Sequence, residues 1–108
     1  MDLEKFGFRK DFSFENRFDL KTQVGRYEVS TVDLGMNHQF MPDLPPLYYE
    51  TMIFVKADTC EERHKDNTFE YYQERYTTEK QARKGHKRAI KLVKEKIGNK
   101  WLEKSKIL

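Results

Sequence analysis

A stretch that is apolar on both faces of a strand constrains the fold of this chain most. Residues 48–57 read YYETMIFVKA. With the two-residue period of a strand, alternate positions from Tyr49 onward form one apolar face, and Tyr48, Met52 and Phe54 make the other nearly as apolar. A strand with two apolar faces is normally central in its sheet and covered on both sides. The segment therefore predicts the middle of a sheet that needs a layer on each face.

Two further segments predict the neighbours of this central strand. Residues 26–34, RYEVSTVDL, are rich in β-branched side chains and lie between two glycines, which is typical of a strand. Its apolar residues change faces between Val29 and Val32, so we expect a β-bulge near Ser30. Residues 69–77, FEYYQERYT, alternate aromatic and charged side chains. They predict a strand that returns antiparallel to the central one.

The C-terminal third predicts a long amphipathic helix. Thr78 and Gln81 have the spacing of a capping box, in which each side chain satisfies a free backbone N–H at the helix start. Gly98 stands where a left-handed C-terminal cap is favoured. Gly85 removes a side chain beside the apolar stripe and lets the helix approach the sheet closely. The stripe repeats at helical spacing and consists of Ala82, His86, Ala89, Ile90, Val93 and Ile97.

These elements together predict an α+β fold, with a small antiparallel sheet of three or more strands packed against one long C-terminal amphipathic helix. We expect a Phe-rich N-terminal arm or short hairpin over residues 1–23, an α+β core over 24–98, and a tail or short helix over 99–108. One helix covers only one face of the central strand. The arm, the tail or a partner chain would have to cover the other, which makes a homo-oligomer one of the alternatives.

Composition excludes several classes of protein. The aromatic content of 14% argues against a disordered chain. The single cysteine, Cys60, forms no internal disulfide and no Cys-rich zinc site, and its neighbours on the two sides carry opposite charges that leave its reactivity open. The sequence predicts neither a signal peptide nor a membrane span. We therefore expect a cytoplasmic protein without membrane contact, metal or cofactor.

The positive charge is concentrated on the predicted helix. Residues 1–58 hold 7 Lys and Arg against 10 Asp and Glu, a balance of −3, whereas residues 59–108 hold 14 against 8, a balance of +6; the two add up to the net charge of +3. A helix face with this excess of positive charge can neutralise the phosphates of a nucleic acid, or it can be an ordinary solvent-exposed helix face. The candidate nucleic-acid-binding residues are Lys80, Arg83, Lys84, Lys87, Arg88, Lys91 and Lys94.

Three ordered blocks carry a resemblance to a known group. The blocks read VSTVDLGMNH over residues 29–38, PPLYYETMIF over 45–54 and RYTTEKQARKGH over 75–86. They are similar to the patterns VSTVxLGxDH, PPLxFETMVF and RYxTxxEAxxGH of small uncharacterised proteins of tailed bacteriophages. Asn37 stands where that pattern has Asp, and Tyr49 where it has Phe. The resemblance implies a small phage-encoded accessory protein and no established activity.

Four residues within or beside these blocks form a candidate ligand site: His38, Glu50, Arg75 and His86. If they converge at the edge of the helix and sheet, Arg75 and a protonated histidine can bind an anion, and a carboxylate that orients an imidazole can support proton transfer. The structural alternative is a buried, neutral His86 hydrogen-bonded to a strand or to Glu50. The long loop over residues 35–47, GMNHQFMPDLPPL, is a further candidate for function.

Three hypotheses for function follow. The first is a non-catalytic accessory protein in the cytoplasm of the host bacterial cell, which binds a host or phage protein or a small ligand; inhibition of a host defence system is one version. The second is a nucleic-acid-binding protein that uses the basic helix face. The third is a small enzyme that uses His38 and His86, although the sequence contains no established catalytic motif.

Overall fold

The computed structural model describes residues 3–56 and 65–107, with side chains up to Gly98. A four-stranded antiparallel sheet packs against one long helix, which confirms the predicted α+β fold. Cys60 lies outside the described residues. The elements are a short 3-10 helix at Leu3–Phe6, strands β1 (Asp19–Val24), β2 (Tyr27–Asp33), β3 (Tyr49–Val55) and β4 (Gln73–Tyr76), and helix α1 (Glu79–Ile107).

The sheet is a meander in which each strand pairs with the next along the chain, in the order β1-β2-β3-β4. Gly25 has a φ of +60° in the turn between β1 and β2, a conformation that hairpin turns need and glycine adopts without strain. The apolar segment of the sequence becomes β3, one of the two inner strands, as its two apolar faces predicted. Strand β1 begins at Asp19, within the segment for which an arm or hairpin was expected.

The predicted bulge in β2 is wrong. Strand β2 pairs with both neighbours in uninterrupted register, and Thr31 lies between Leu20 of β1 and Thr51 of β3. Strict alternation therefore turns Val29 and Thr31 toward the helix and Val32 to the opposite face of the sheet. Polar residues occupy helix-facing positions at this end of the strand, and the apolar pattern changes faces for that reason.

Helix α1 begins as the capping box predicts. The Thr78 hydroxyl accepts a hydrogen bond from the Gln81 backbone N–H at 3.2 Å, and the Gln81 side chain accepts one from the Thr78 N–H at 3.2 Å. The predicted end at Gly98 is wrong. Gly98 does not have a positive φ, and the helical backbone continues through it to Ile107.

The core lies between α1 and one face of the sheet. Val29 of β2 and Ala89 and Val93 of α1 are fully buried, and the Tyr27 and Phe69 rings meet edge to face with centroids 5.0 Å apart. Helix α1 contacts all four strands. The predicted apolar stripe is thus the buried side of the helix, because sheet and helix each bury only their apolar face against the other.

The N-terminal segment packs against the end of β2 rather than forming a hairpin of its own. Phe8 forms an isolated bridge with Met36, and Phe12 is buried against Gly35, where an added Cβ would lie 2.7 Å from the Phe12 ring. Both guanidinium nitrogens of the Arg9 fork donate to the buried carboxylate of Asp33. A bidentate pair of this kind holds the N-terminal segment in a defined position and neutralises the charge of the buried carboxylate.

The face of the sheet turned away from α1, here called the outer face, is only partly covered by the described residues. Met52 is half-buried and Phe54 is 44% exposed on this face. The N-terminal rings of Phe8 and Phe12, which stack on each other, lie instead beside Gly35, at the end of β2.

Candidate functional site

His86 is enclosed at the centre of the helix–sheet interface. Its Nδ1 lies 2.7 Å from the Thr31 hydroxyl on β2, and its Nε2 lies 2.9 Å from the Thr22 hydroxyl on β1. His86 is 5% exposed. Both ring nitrogens are therefore hydrogen-bonded to strand side chains. This is the environment of a buried structural histidine, the alternative to a ligand site that the sequence left open.

The hydrogen bonds continue through the sheet as a chain that we call the polar chain, running from Thr22 through His86, Thr31 and Thr51 to Tyr76. The Thr31 and Thr51 hydroxyls are 2.6 Å apart, and the Tyr76 hydroxyl donates to that of Thr51 at 3.0 Å. The chain joins the helix to all four strands. No buried side-chain nitrogen or oxygen among the described residues lacks a partner, which is the condition for a buried polar network to stabilise a fold.

Gly85 makes room for one end of the polar chain. An added Cβ at this position would overlap the ring and hydroxyl of Tyr76. The close approach of helix and sheet inferred from the sequence is therefore a contact between the α1 backbone and a tyrosine of β4. Tyr76 itself is buried, and burial raises the pKa of its hydroxyl.

Burial also lowers the pKa of His86 below its ordinary value of 6.5. The neutral ring fits its two hydroxyl partners, because one ring nitrogen donates and the other accepts, and each hydroxyl can do either. A protonated ring would have two donors and no acceptor in a nearly dry site. His86 thus has the environment of a structural residue, with neither nitrogen facing a cleft.

Glu50 and Arg75 lie on the outer face, away from His86. They are directly opposite each other on β3 and β4, and the Arg75 Nε donates to the Glu50 carboxylate at 2.8 Å. Glu50 precedes Thr51 in the strand, so the two side chains point to opposite faces of the sheet. The structure brings Glu50 and Arg75 together and leaves His86 on the other side. Arg75 also borders an open depression of about 350 Å³ beside Lys84 and Arg88.

His38 lies in the loop between β2 and β3, and its backbone N–H donates to the Leu47 carbonyl at 2.9 Å. Over residues 3–56 and 65–107 its ring forms no hydrogen bond. Within the same ranges no group of three His, Cys, Asp or Glu side chains is placed to hold a metal ion. The four candidate residues are thus divided among the core, the outer face and a loop.

The same loop is closed at its base by side-chain hydrogen bonds. The Asn37 side-chain oxygen accepts hydrogen bonds from the Gln39 N–H at 2.8 Å and the Leu47 N–H at 2.9 Å, which closes the loop at its base. An aspartate at this position would accept the same two bonds. The position therefore has a structural role in closing the loop, which either residue can fill.

The tip of this loop carries apolar side chains in solvent. Phe40 is 91% exposed, Met41 60% and Leu44 53%. Exposed apolar residues are common singly, but three within five positions on a loop with a fixed base are typical of an interaction surface. Sequence reasoning singled out the loop by its length and missed these three residues. The available signal was a group of apolar residues around Pro42, outside any strand or helix pattern.

The basic helix face separates into two groups. Arg83 lies over the Phe18 ring, 4.9 Å from its centroid, and 3.4 Å from a Glu79 carboxylate oxygen, while Arg88 is bonded to Glu74. The five lysines are exposed, and none of them takes part in an ion pair recorded for the described chain. We call them the lysine row: Lys80, Lys84, Lys87, Lys91 and Lys94.

Comparison of the chain with protein-family models, with curated proteins and with solved structures gave no match. None of the helices in the described part of the chain is long and apolar enough to cross a membrane. The functional conclusion therefore has to come from the residues and their geometry.

Proposed function

We propose that the protein is a phage-encoded accessory protein without catalytic activity, which acts in the host cytoplasm by binding a host or phage protein through the tip of the loop over residues 35–47. The observation that carries this proposal is the combination of a base closed by Asn37 with an exposed apolar tip at Phe40, Met41 and Leu44. The resemblance of the three sequence blocks to phage proteins supports the setting. Inhibition of a host defence protein is one form that such binding can take.

A fixed loop lowers the entropy that binding would otherwise cost. The Asn37 bonds at the base are joined by the Gln39 side chain, whose amide oxygen accepts from the Met41 N–H at 3.2 Å and whose nitrogen donates to the Pro45 carbonyl at 3.3 Å. The three prolines of the loop restrict its backbone further. The tip is thus presented largely in one conformation before a partner arrives, which favours affinity.

The chemistry of the tip favours a protein pocket. Asp43 is the one formally charged residue among positions 36–47 at neutral pH, so the loop offers no cations to phosphate groups. Phe and Met are enriched in protein–protein interfaces, and with Leu44 they form an apolar group that can fill a pocket of a partner protein. The buried, fully bonded state of His86 argues against the enzymatic alternative with His38 and His86.

Affinity capture from phage-infected cells tests the proposal when the tip is altered. The wild-type chain is compared with the triple variant Phe40→Ser, Met41→Ser, Leu44→Ser by quantitative mass spectrometry, and each enriched protein is then purified and titrated against both chains. We expect at least one partner that binds the wild type and loses about 100-fold or more in affinity with the variant, because anchor residues dominate interface energies.

The matched control is Tyr71→Ser, since Tyr71 is 91% exposed like Phe40 but lies in the turn before β4. It should bind as the wild type does. Equal retention of every purified partner by the wild type and the loop variant would refute the proposal. Loss with Phe54→Ser instead would move the interface to the outer face of the sheet.

A further inference from the structure

The lysine row points directly away from the sheet. Its members follow one another at steps of four, three, four and three residues. At about 100° per residue these steps keep all five within about 40° of one line on the helix, on the side opposite the buried stripe. At about 1.5 Å per residue the row is about 21 Å long.

Folding does not explain this arrangement. Neighbouring lysines three and four positions apart on a helix repel one another and slightly destabilise it. Glu95 is the one acidic residue between positions 80 and 98, and the two arginines beside the row already have carboxylate partners in Glu79 and Glu74. Five positive charges thus stand along one ridge with no partner recorded over the described chain, which leaves a strong local field for a partner outside it.

We propose that the lysine row binds the phosphate backbone of double-stranded nucleic acid without regard to sequence. This function is separate from protein binding by the loop. A line of cations complements a line of phosphates, and lysine acts as a point charge rather than a bidentate fork that reads a base. The row carries no aromatic side chain on which an unpaired base can stack, which favours a duplex over a single strand.

The same geometry argues against a membrane surface as the partner of the row. A helix that lies in a bilayer interface inserts its apolar face beside its cationic one. Here the apolar face holds Ala82, Ala89 and Val93, which are fully buried against the sheet. The lysine row therefore supplies positive charge to a partner but has no adjacent apolar side chain free to insert into a bilayer.

The number of lysines sets the expected salt dependence. Each phosphate contact adds about 0.9 to the slope of log affinity against log salt for duplex DNA, so five contacts give a slope of about −4.5. Affinity should then fall about 500-fold between about 50 mM and about 200 mM salt. With two lysines left the slope would be about −1.8 and the loss about 12-fold.

The test measures the binding of the full chain to a labelled random-sequence DNA duplex of about 30 base pairs, over a series of salt concentrations. The variant is Lys84→Gln, Lys87→Gln, Lys91→Gln. The control is Lys5→Gln, Lys10→Gln, Lys21→Gln, which removes the same net charge from exposed positions outside the helix. Glutamine is a good helix former, and circular dichroism verifies that both variants are folded.

We expect the helix variant to lose affinity and most of the salt slope, and the control to keep both. The proposal is overturned if the wild-type chain does not bind the duplex at low salt, or if both variants lose affinity equally. It is also overturned if a single strand of equal length, or vesicles of phosphatidylcholine with phosphatidylserine, bind more tightly than the duplex. Loss of loop-dependent protein capture would leave this result unaffected.

Discussion

The interior around His86 and the loop over residues 35–47 use polar and apolar groups in opposite ways. In the interior, an ionisable ring and three hydroxyls are enclosed with every ring nitrogen bonded. In the loop, polar side chains hold the backbone and the large apolar side chains stay in solvent. The interior residues thus serve the fold, whereas the loop carries apolar surface that the fold does not use. Buried histidine alone is therefore a poor guide to function here.

The largest effect on stability should come from filling the space beside Tyr76 that Gly85 leaves open. Gly85→Ala places a methyl group into the Tyr76 ring, so the ring must move and its bond to Thr51 is lost. We expect the free energy of unfolding to fall by about 3 kcal/mol in urea titrations. Gly98→Ala is the control, because no atom lies within 4 Å of an added Cβ there; it should gain about 1 kcal/mol. Equal stability of Gly85→Ala and the wild type would show that the interface is looser than described.

A smaller loss should follow from removing one hydroxyl inside the polar chain. Thr31→Val keeps the side-chain shape but takes away the partner of both His86 Nδ1 and the Thr51 hydroxyl. Leaving a buried ring nitrogen unbonded should cost about 2 kcal/mol of unfolding free energy. Thr22→Val, at the half-buried end of the chain, should cost about half as much. A greater loss at Thr22 than at Thr31 would contradict the description of an enclosed centre.

Acidification should lower the free energy of unfolding through His86 in the interior, and the loop should not contribute to this change. The pKa of His86 is lowered in the folded state from 6.5, so the unfolded chain binds the proton more readily. Its contribution to stability is complete above about pH 6.5 and decreases as the pH falls from there toward the folded pKa. Wild-type stability should therefore fall more between about pH 7.5 and about pH 5.5 than that of His86→Gln.

The control for pH dependence is His38→Gln, since His38 lies in the loop with no hydrogen bond to its ring across the described residues. It should show the wild-type dependence on pH. The same dependence in His86→Gln and in the wild type would mean that other groups determine the acid response.

The smallest change in global stability should come from the loop base. Asn37→Ala removes the acceptor of the Gln39 and Leu47 N–H groups, and because both hydrogen bonds are exposed to solvent, the loss should cost about 1 kcal/mol or less. Cleavage of the loop by a protease should nevertheless become several-fold faster. Asn37→Asp keeps the acceptor and should resist cleavage as the wild type does. Unchanged cleavage in Asn37→Ala would show that the loop is held by other contacts.

Much of the fold could be predicted because it depends on local patterns. The capping box at Thr78 and the stripe from Ala82 to Ile97 placed the helix start and its buried face, and the apolar segment placed β3. The errors arose where tertiary contacts override the local signal. The switch of apolar faces in β2 reflects a polar interior around Thr31 rather than a bulge, and a glycine inside a helix does not have to end it, as Gly98 shows.

The candidate site was harder to predict, because side chains from separate strands were grouped without knowledge of their faces. Antiparallel pairing of β3 and β4 brings Glu50 and Arg75 together on the outer face, whereas His86 is buried between the helix and the other face of the sheet. From the sequence, Arg83 and Arg88 belong to the same basic helix face as the lysines. The structure shows that Arg83 instead lies over the Phe18 ring and that Arg88 pairs with Glu74 of β4.

The sequence by itself determined strands β2 and β3, the start and buried face of the amphipathic helix and the excess of positive charge on that helix, because each depends on residue order over a few turns or one strand. Only the tertiary structure decided which polar groups are enclosed and which apolar groups remain outside. Burial depends on what packs opposite, and the partners of His86 are 55 and 64 positions away in the chain. Contacts at such separations leave no periodic pattern, so their functional meaning becomes visible only in the fold.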